Sequence, residues 1–350
     1  MRFLPILFLF TIFSCTFLGC SFQFGPDIGP DNSKKESFSK SVTLATWNTQ
    51  TFFDGVTDGC EYSEFKKEKN WNNNKYIVRL ERLCGVLEAL NTDIVVLQEI
   101  ENEAVMHDIS NMMAGNSWNR KKIWTYATFV KEDKGAIGCG VFSRFPITNV
   151  KSHSLDIRTE NIQQPSMRPI IEVSINVDDK ILPIFVNHWK SKSGGEEITE
   201  IWRNWQEAVL THCAAKYKNY CIATGDFNRD VSDFCLNFEN GHNIILRGLH
   251  RNENIPAFSP WFSSPNNSID EENVIDFENQ QFSTEIGSYF YKNSWERIDN
   301  ILAIGNIKIS DFAPQAEEPW INEYGTPIKY QYFTGIGYSD HLPLKCTLNF

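Results

Sequence analysis

Positive charge is scarce in this chain. Its 33 lysines and arginines face 44 acidic residues, a formal charge of −11 over 350 residues. That deficit excludes a protein that holds nucleic acid through its overall field. It leaves room for a local basic cleft, and it suits a site that gathers metal cations. Zinc signatures are missing as well: there is no Cys-x-x-Cys pair and no Cys/His spacing of that kind. No repeat of fixed period appears, which excludes a repeat architecture. No second tether interrupts residues 41–350, so they read as one domain. What is plentiful is apolar residues, at 41%, and aromatics, at 13%, enough for a large core.

The N-terminus reads differently from the rest. "MRFLPILFLFTIFSCTFLGC" has an early Arg2, an apolar run and then Leu18-Gly19-Cys20. The layout is that of a secretory signal over residues 1–19. Its ending resembles a bacterial lipobox, which implies that Cys20 is lipidated and holds the protein at a membrane. A plain signal peptide or an anchor helix is the alternative. Residues 20–40 are rich in Gly, Pro, Ser and charge without periodicity and read as a tether. Beyond Cys15 and Cys20 there remain Cys60, Cys84, Cys139, Cys213, Cys221, Cys235 and Cys346. Seven is odd, so at least one is unpaired or bonds another chain. Several lie in apolar runs and read as small core residues.

Strand-like runs are "VTLATWNT", "DIVVLQEI", "YATFV", "CGVFSR", "IIEVSIN", "ILPIFVNHW", "CIATGDF" and "RIDNILAIG". Their β-branched and aromatic content marks them as central strands. Two helices are written in the 3.6-residue period. One sets Ile77, Leu80, Leu83/Cys84, Leu87 and Leu90 on a face, the other Ile201, Trp205, Ala208/Val209 and Cys213. Each leads into a strand, which makes the class α/β. Residues 236–290 are polar and Pro-punctuated and read as long surface loops.

The strands share a habit at their ends. "CIATGDFN" closes an apolar run with Asp226 and Asn228 around Phe227. Residues two apart in an extended chain point the same way, so both polar groups face one side. Gly225 lets the strand turn or lets another backbone approach. Asn48 ends one strand, Glu99 another, and "VNHWK" carries Asn187, His188 and Lys190. Asp299 lies in an apolar run, and Asp340-His341 precede Leu342. Singly, each reads as a cap or a core hydrogen bond. Jointly they make a divalent-metal site for cleaving a phosphate ester. A hard cation such as magnesium prefers carboxylate oxygens and neutralises an anionic diester. Glu99 supplies that oxygen, and Asn48 supplies a neutral one. Asp226 or an Asp-supported His serves as base. Asn228 and His188 donate to phosphoryl oxygens.

Asn48 in "TWNTQTF", Glu99 in "LQEIEN", "NHWKSK", "GDFN", "RID" and "SDHLPL" stand in the order of the endonuclease/exonuclease/phosphatase superfamily, and the chain resembles its secreted bacterial nucleases over residues 42–350. The resemblance implies a four-layer α/β sandwich, two packed mixed β-sheets flanked by helices, with one cleft at the strand ends. It implies Asn48, Glu99 and Asp340 at the metal, with magnesium, manganese or calcium as the ion. It implies His188 at the phosphate or as general acid, with Asp226 and Asn228 positioning water and phosphate. His341 becomes general base, supported by Asp299, although Glu296 stands where some relatives carry that acid. The implied activity is that of a monomeric nuclease acting on DNA or RNA. Sphingomyelin- or inositol-phosphate-cleaving enzymes, or a silent binding lipoprotein on the same fold, are the alternatives.

For a polyanionic substrate, Lys190, Lys192 and Arg203 form a candidate basic rim, and Arg144 and Arg168 either face phosphates or make structural pairs. Lys66, Lys67 and Lys69 read as a solvated face. "IPAFSPWFSSP", with Phe258, Trp261 and Phe262, stacks bases, enters a membrane interface or folds back on the core.

Overall fold

Period-two burial builds the two sheets. In the computed structural model, Val42, Leu44, Ile94 and Val96 turn to one core, while Ala45, Trp47, Val95 and Leu97 turn to another. The structure describes residues 22–23, 41–66, 70–116, 124–157, 163–217, 220–239, 242–263 and 281–350. The signal-like segment 1–19, Cys20, most of the tether, Lys67 and Lys69 lie outside the described residues.

In chain order, β1 (Phe22–Gln23) and β2 (Ser41–Phe52) precede α1 (Asn73–Leu90), β3 (Ile94–Ile100) and α2 (Glu103–Asn116). Then come β4 (Tyr126–Val130), β5 (Gly138–Ser143), β6 (Ile147–His153), β7 (Ile170–Val177) and β8 (Lys180–His188). After α3 (Glu196–Ala214) follow β9 (Tyr220–Asp226), β10 (Cys235–Glu239), β11 (His242–Leu246) and β12 (Ile255–Ala257). The last elements are β13 (Tyr289–Tyr291), β14 (Ser294–Glu296), β15 (Asp299–Gly305), β16 (Lys308–Pro314) and β17 (Leu344–Asn349).

Seven strands form one sheet in the order β1-β4-β5-β3-β2-β17-β16, and five form a second in the order β15-β9-β8-β7-β6. Each sheet has one parallel pair at its centre, β2 with β3 and β8 with β9, among antiparallel neighbours. The facing sides of the two sheets share one core, and α3 covers the outer face of the second sheet. On the first sheet α1 and α2 pack over Trp47, Val95 and Leu97. The result is the expected sandwich of two mixed sheets between helices.

Several sequence expectations change. Phe22–Gln23, inside the stretch read as tether, pair with β4. Ile77 and Ile201 are exposed at 37% and 38%, while Tyr76 and Trp202 are buried in their place. The rest of both inferred faces holds: Leu80, Leu83, Cys84, Leu87 and Leu90 on α1 and Ala208, Val209 and Cys213 on α3 are buried. In residues 236–290, β10, β11 and β12 form a three-stranded sheet. Asn243 stabilises it from inside: its Nδ2 donates to Ser259 O and its Oδ1 accepts from Ser259 N–H. Trp261 and Phe262 are buried at 0% and 3% exposure, and Trp261 Nε1 donates to Asp299 O. Of the three readings of that loop, folding back on the core is the one observed. Exposing either ring would forfeit about 1.5–3 kcal/mol of burial. All seven described cysteines are free thiols. No described helix is long and apolar enough to cross a membrane.

Gly225 has both properties the sequence allowed it. Its φ is +125°, and a Cβ there would stand 2.0 Å from Asn187 O on the neighbouring strand. Only a glycine lets β8 and β9 run this close while β9 bends into its terminal Asp226.

Candidate active site

Two parallel pairs at the sheet centres bring four strand C-termini to one end of the sandwich. Asn48 ends the regular part of β2, Glu99 lies near the end of β3, and His188 and Asp226 end β8 and β9 as register partners. Asp299 opens the antiparallel β15 directly opposite Asp226. His341 enters from the loop before β17 and is held there by its carbonyl, which accepts from Trp47 Nε1 at 2.9 Å. These groups, with Asn228 and Asp340, surround a cleft of about 680 Å³, Asp299 lying just behind its wall.

A bulge aims Glu99. The β2/β3 register shifts beyond Asn48, and Gln50, Thr51 and Glu99 all have left-handed φ, at 54°, 48° and 66°. Strict alternation would send residue 99 to the helix side with Val95 and Leu97; the bulge turns it into the cleft instead. Thr51 N–H then donates to Glu99 Oε2 at 2.5 Å. Buried Arg79 on α1 holds this turn by donating to the carbonyls of Thr49, Gln50 and Thr51. Its guanidinium lies 3.7 Å from the Tyr330 ring centroid. Sequence reasoning missed Arg79, because an arginine on an amphipathic helix carries no signal of what it reaches.

Asn48 ties the acids together. Its Nδ2 donates to Asp226 Oδ2 at 2.9 Å and to Glu99 Oε1 at 3.3 Å, and its Oδ1 accepts from Gln50 N–H. His188 Nε2 lies 3.5 Å from Glu99 Oε1 and 3.7 Å from Asp226 Oδ2. Glu99 and Asp226 therefore flank one point. Phe227 turns away and packs on Trp189 and Phe234. Asn228 commits both amide hydrogens, to Trp189 O and Asp226 Oδ2, and its own N–H donates to Asp226 Oδ1. It thereby holds both carboxylate oxygens of Asp226.

The two histidines sit in opposite fields. His341 Nδ1 is 2.8 Å from Asp299 Oδ2. Against the penalty of burial, the Asp299 carboxylate, with Asp226 and Asp340 beyond it, raises His341 to about 10. His188 is wholly enclosed, and burial, then the positive charges of Arg168 and His341, pushes it well below the usual imidazole range. It is neutral at neutral pH, which favours the phosphate contact over the general-acid role inferred for it. Asp226 is raised to about 7, first by burial and then by Asp299. Glu296 pairs with Lys192 at 3.0 Å, so the carboxylate beside His341 is Asp299.

The donor set fits a hard cation. Oxygen donors dominate, and buried Asp299 Oδ1 and His188 Nδ1 have no hydrogen-bond partner among the described residues. Asp226, Asp299 and His341 bring donor atoms within 4.8 Å of one another; Asp299 Oδ2 is given to His341 Nδ1, which leaves Asp299 Oδ1 over. Glu99 stands beside this group, within reach of the same His188 Nε2 as Asp226, and Asp340 also lines the cleft.

The basic rim is not assembled as inferred. Arg203 is wholly buried, giving its guanidinium to Glu200, Thr199, Glu196 O and Lys190 O; it braces the Lys190 turn. Arg144 lies at the opposite end of the first sheet, paired with Asp93 at 2.9 Å beside the start of β3. Such a pair contributes up to about 1 kcal/mol, and Arg144 is not among the residues lining the cleft. Lys190 Nζ turns to Ser191. Lys192 lines the cleft but is held by Glu196 and Glu296. Arg168 donates to Trp189 O behind His188. The cleft instead receives Lys292, Lys329 and Tyr289, whose ring lies 4.7 Å from that of His341. None of the three stands in a motif.

A sequence profile described as the Endonuclease/Exonuclease/phosphatase family matches residues 43–312. No curated protein matches the chain. Among solved structures, truncated Caenorhabditis elegans TDP2 is similar at 12% identity and a TM-score of 0.51, over 89% of this chain and 98% of that one. D. rerio TDP2 with a single strand DNA product is similar at 16% identity and a TM-score of 0.50, over 89% and 100%. A mannosyl-6-phosphatase of Bacteroides thetaiotaomicron is 14% identical with a TM-score of 0.49, over 88% and 100%. At these identities the likeness is one of fold.

Proposed function

Because the chain belongs to the endonuclease/exonuclease/phosphatase family, whose members are typically metal-dependent phosphoester hydrolases, we propose that its cleft hydrolyses the phosphodiesters of nucleic acid, DNA first and RNA second. One observation carries the reaction class. Glu99, His188, Asp226 and the Asp299–His341 pair converge at the central strand ends of both sheets. The carboxylates Glu99, Glu196, Asp226, Glu296 and Asp340 outnumber Lys192, Lys292 and Lys329 around the cleft. An anionic diester enters such a cleft only with a cation beside it. Glu99 and Asp226 would hold that ion, with Asn48 fixing their spacing and Asp340 completing the field. Magnesium is the first choice, manganese or calcium the alternatives. Bound there, the ion neutralises the phosphoryl oxygens and acidifies water.

The chain's own groups do the rest. Neutral His188 presents Nε2–H toward the point flanked by Glu99 and Asp226, where it donates to a phosphoryl oxygen. Asp299 fixes the His341 ring through Nδ1 and leaves Nε2 facing the cleft to exchange a proton with water. Water adds its oxygen to phosphorus, one P–O ester bond breaks, and the proton that water gives up is passed through His341 Nε2 to the leaving alcohol.

Nucleic acid is favoured by the way out of the site. Tyr289 lies against His341, and Tyr291, 48% exposed, stacks on Tyr289 at 6.0 Å and 20°. The rings lead from the reacting centre to the surface, where bases stack, with Lys292 beside them. The similarly folded D. rerio TDP2 holds a single strand DNA product. The lipid alternative loses its apolar anchor, since Trp261 is buried.

Lys292→Ala should lower the slope of log affinity against log salt by about 1 on DNA, alike for all sequences. Rapid hydrolysis of sphingomyelin vesicles without plasmid nicking would overturn the nucleic-acid choice and leave the reaction class standing. The proposal includes a monomer anchored by lipid at Cys20 on the periplasmic or outer face of a bacterial envelope. Membrane partitioning that survives Cys20→Ser would refute the anchor.

A further inference from the structure

A second group of acids lies outside the cleft, on the turn between β2 and α1. The chain there runs Asp54-Gly-Val-Thr-Asp58-Gly-Cys-Glu61. Glu61, 5% exposed, folds its carboxylate back to accept from Asp58 N–H at 2.5 Å and Gly59 N–H at 2.9 Å. From the end of β3, Glu101 reaches the same turn, and its Oε2 accepts from Asp54 N–H at 2.5 Å. Carboxylate oxygens of Asp58, Glu61 and Glu101 lie within 4.8 Å of one another. None of the three is in an ion pair among the described residues, and Lys66 gives its ammonium to Gly59 O rather than to an acid.

The telling atom is Glu101 Oε1. Glu101 is wholly buried, and this oxygen has no hydrogen-bond partner among the described residues. A buried carboxylate oxygen needs either a proton or a cation. A proton relieves only one of three crowded carboxylates, whereas one divalent cation relieves all three at once. The donors are all oxygen, which excludes the nitrogen- and sulfur-seeking metals. They sit on an irregular turn rather than a rigid frame, and Asp58 is exposed, giving an ion a way in. Calcium takes six to eight or so oxygens in flexible geometry, whereas magnesium demands a near-octahedral shell and keeps its waters.

We propose that Asp58, Glu61 and Glu101 bind a structural calcium ion, distinct from the ion of the catalytic cleft. The consequence is positional. Glu101 is two residues from Glu99, so an ion that locks Glu101 to the 54–61 turn also steadies the β3 bulge that aims Glu99. The same turn leads into Tyr62 and Phe65, which line a hollow of about 420 Å³ sharing Gln50, Thr51 and Lys329 with the catalytic cleft.

The test uses the whole protein carrying Glu99→Ala, which takes away the cleft's own metal carboxylate, stripped with chelator and titrated with calcium chloride by calorimetry and thermal unfolding. One calcium ion should bind, with Tm rising as calcium exceeds its Kd, and magnesium should substitute poorly. Adding Glu61→Gln or Glu101→Gln should weaken calcium binding at least tenfold. Asp58→Asn, at an exposed position, serves if the buried variants fail to fold: it should weaken binding several-fold and leave the calcium-free Tm unchanged. Absence of a calcium-dependent heat and Tm shift would overturn the site, as would binding indifferent to Asp58→Asn and the buried substitutions.

Discussion

Glu99→Ala should lower phosphodiester turnover on the order of 10³-fold or more, with the fold intact. The carboxylate is aimed by a bulge with φ of 66° and held by Thr51 N–H, so no neighbouring side chain can take its place. Its loss leaves one backbone donor without its acceptor, a cost of about 1–3 kcal/mol. Against this, an anion leaves the neighbourhood of Asp226 and Asp340, which relieves repulsion. The two effects are of similar size, and Tm should stay within a few degrees of wild type. Steady-state hydrolysis of a small diester together with calorimetric unfolding checks both halves. An active Glu99→Ala protein would remove Glu99 from the site, and a grossly unfolded one would make its role structural.

Asp299→Asn should be nearly as damaging, roughly 10³-fold in kcat, and should leave a signature in pH. Asp299 Oδ2 holds the His341 ring at 2.8 Å and supplies the charge that raises it, against burial, to about 10. An amide holds the ring less firmly and supplies no charge. The folded value lies above the unfolded imidazole value of about 6.5, so this pair's contribution to stability is complete below about pH 6.5 and lost as pH rises through 10. The stability gap between wild type and Asp299→Asn should therefore be widest in mildly acidic to neutral buffer and close toward pH 10. Urea unfolding across that range reads it. A gap that widens with alkali would mean that His341 is not raised in the folded protein.

Much of this was legible because the site groups break apolar runs. Glu99 after "IVVL" and Asp299 before "NILAIG" are acids at positions where burial needs a reason, and Asp226 and Asn228 follow the period of a strand. What is brought in by tertiary contact was not legible. Tyr289, Lys329 and Arg79 reach the cleft or its supports from separate segments, and nothing in their local sequence says so. Arg203 misled because it follows "NHWKSK" but lies next to Trp202 on the buried side of its helix; its fork serves Glu200, Thr199 and two backbone carbonyls. The Asn-rich stretch after residue 236 hid a small sheet, because Asn243 and Ser259 satisfy each other inside it. Polarity there signals internal pairing, not exposure.

We propose that this cleft cleaves phosphodiesters only with a divalent ion held at Glu99 and Asp226. The most direct measurement is hydrolysis of a soluble phosphodiester by the wild-type protein after chelator treatment, then after magnesium is restored. Activity should vanish in chelator and return with magnesium in wild type but not in Glu99→Ala. Undiminished hydrolysis in excess chelator would contradict the account.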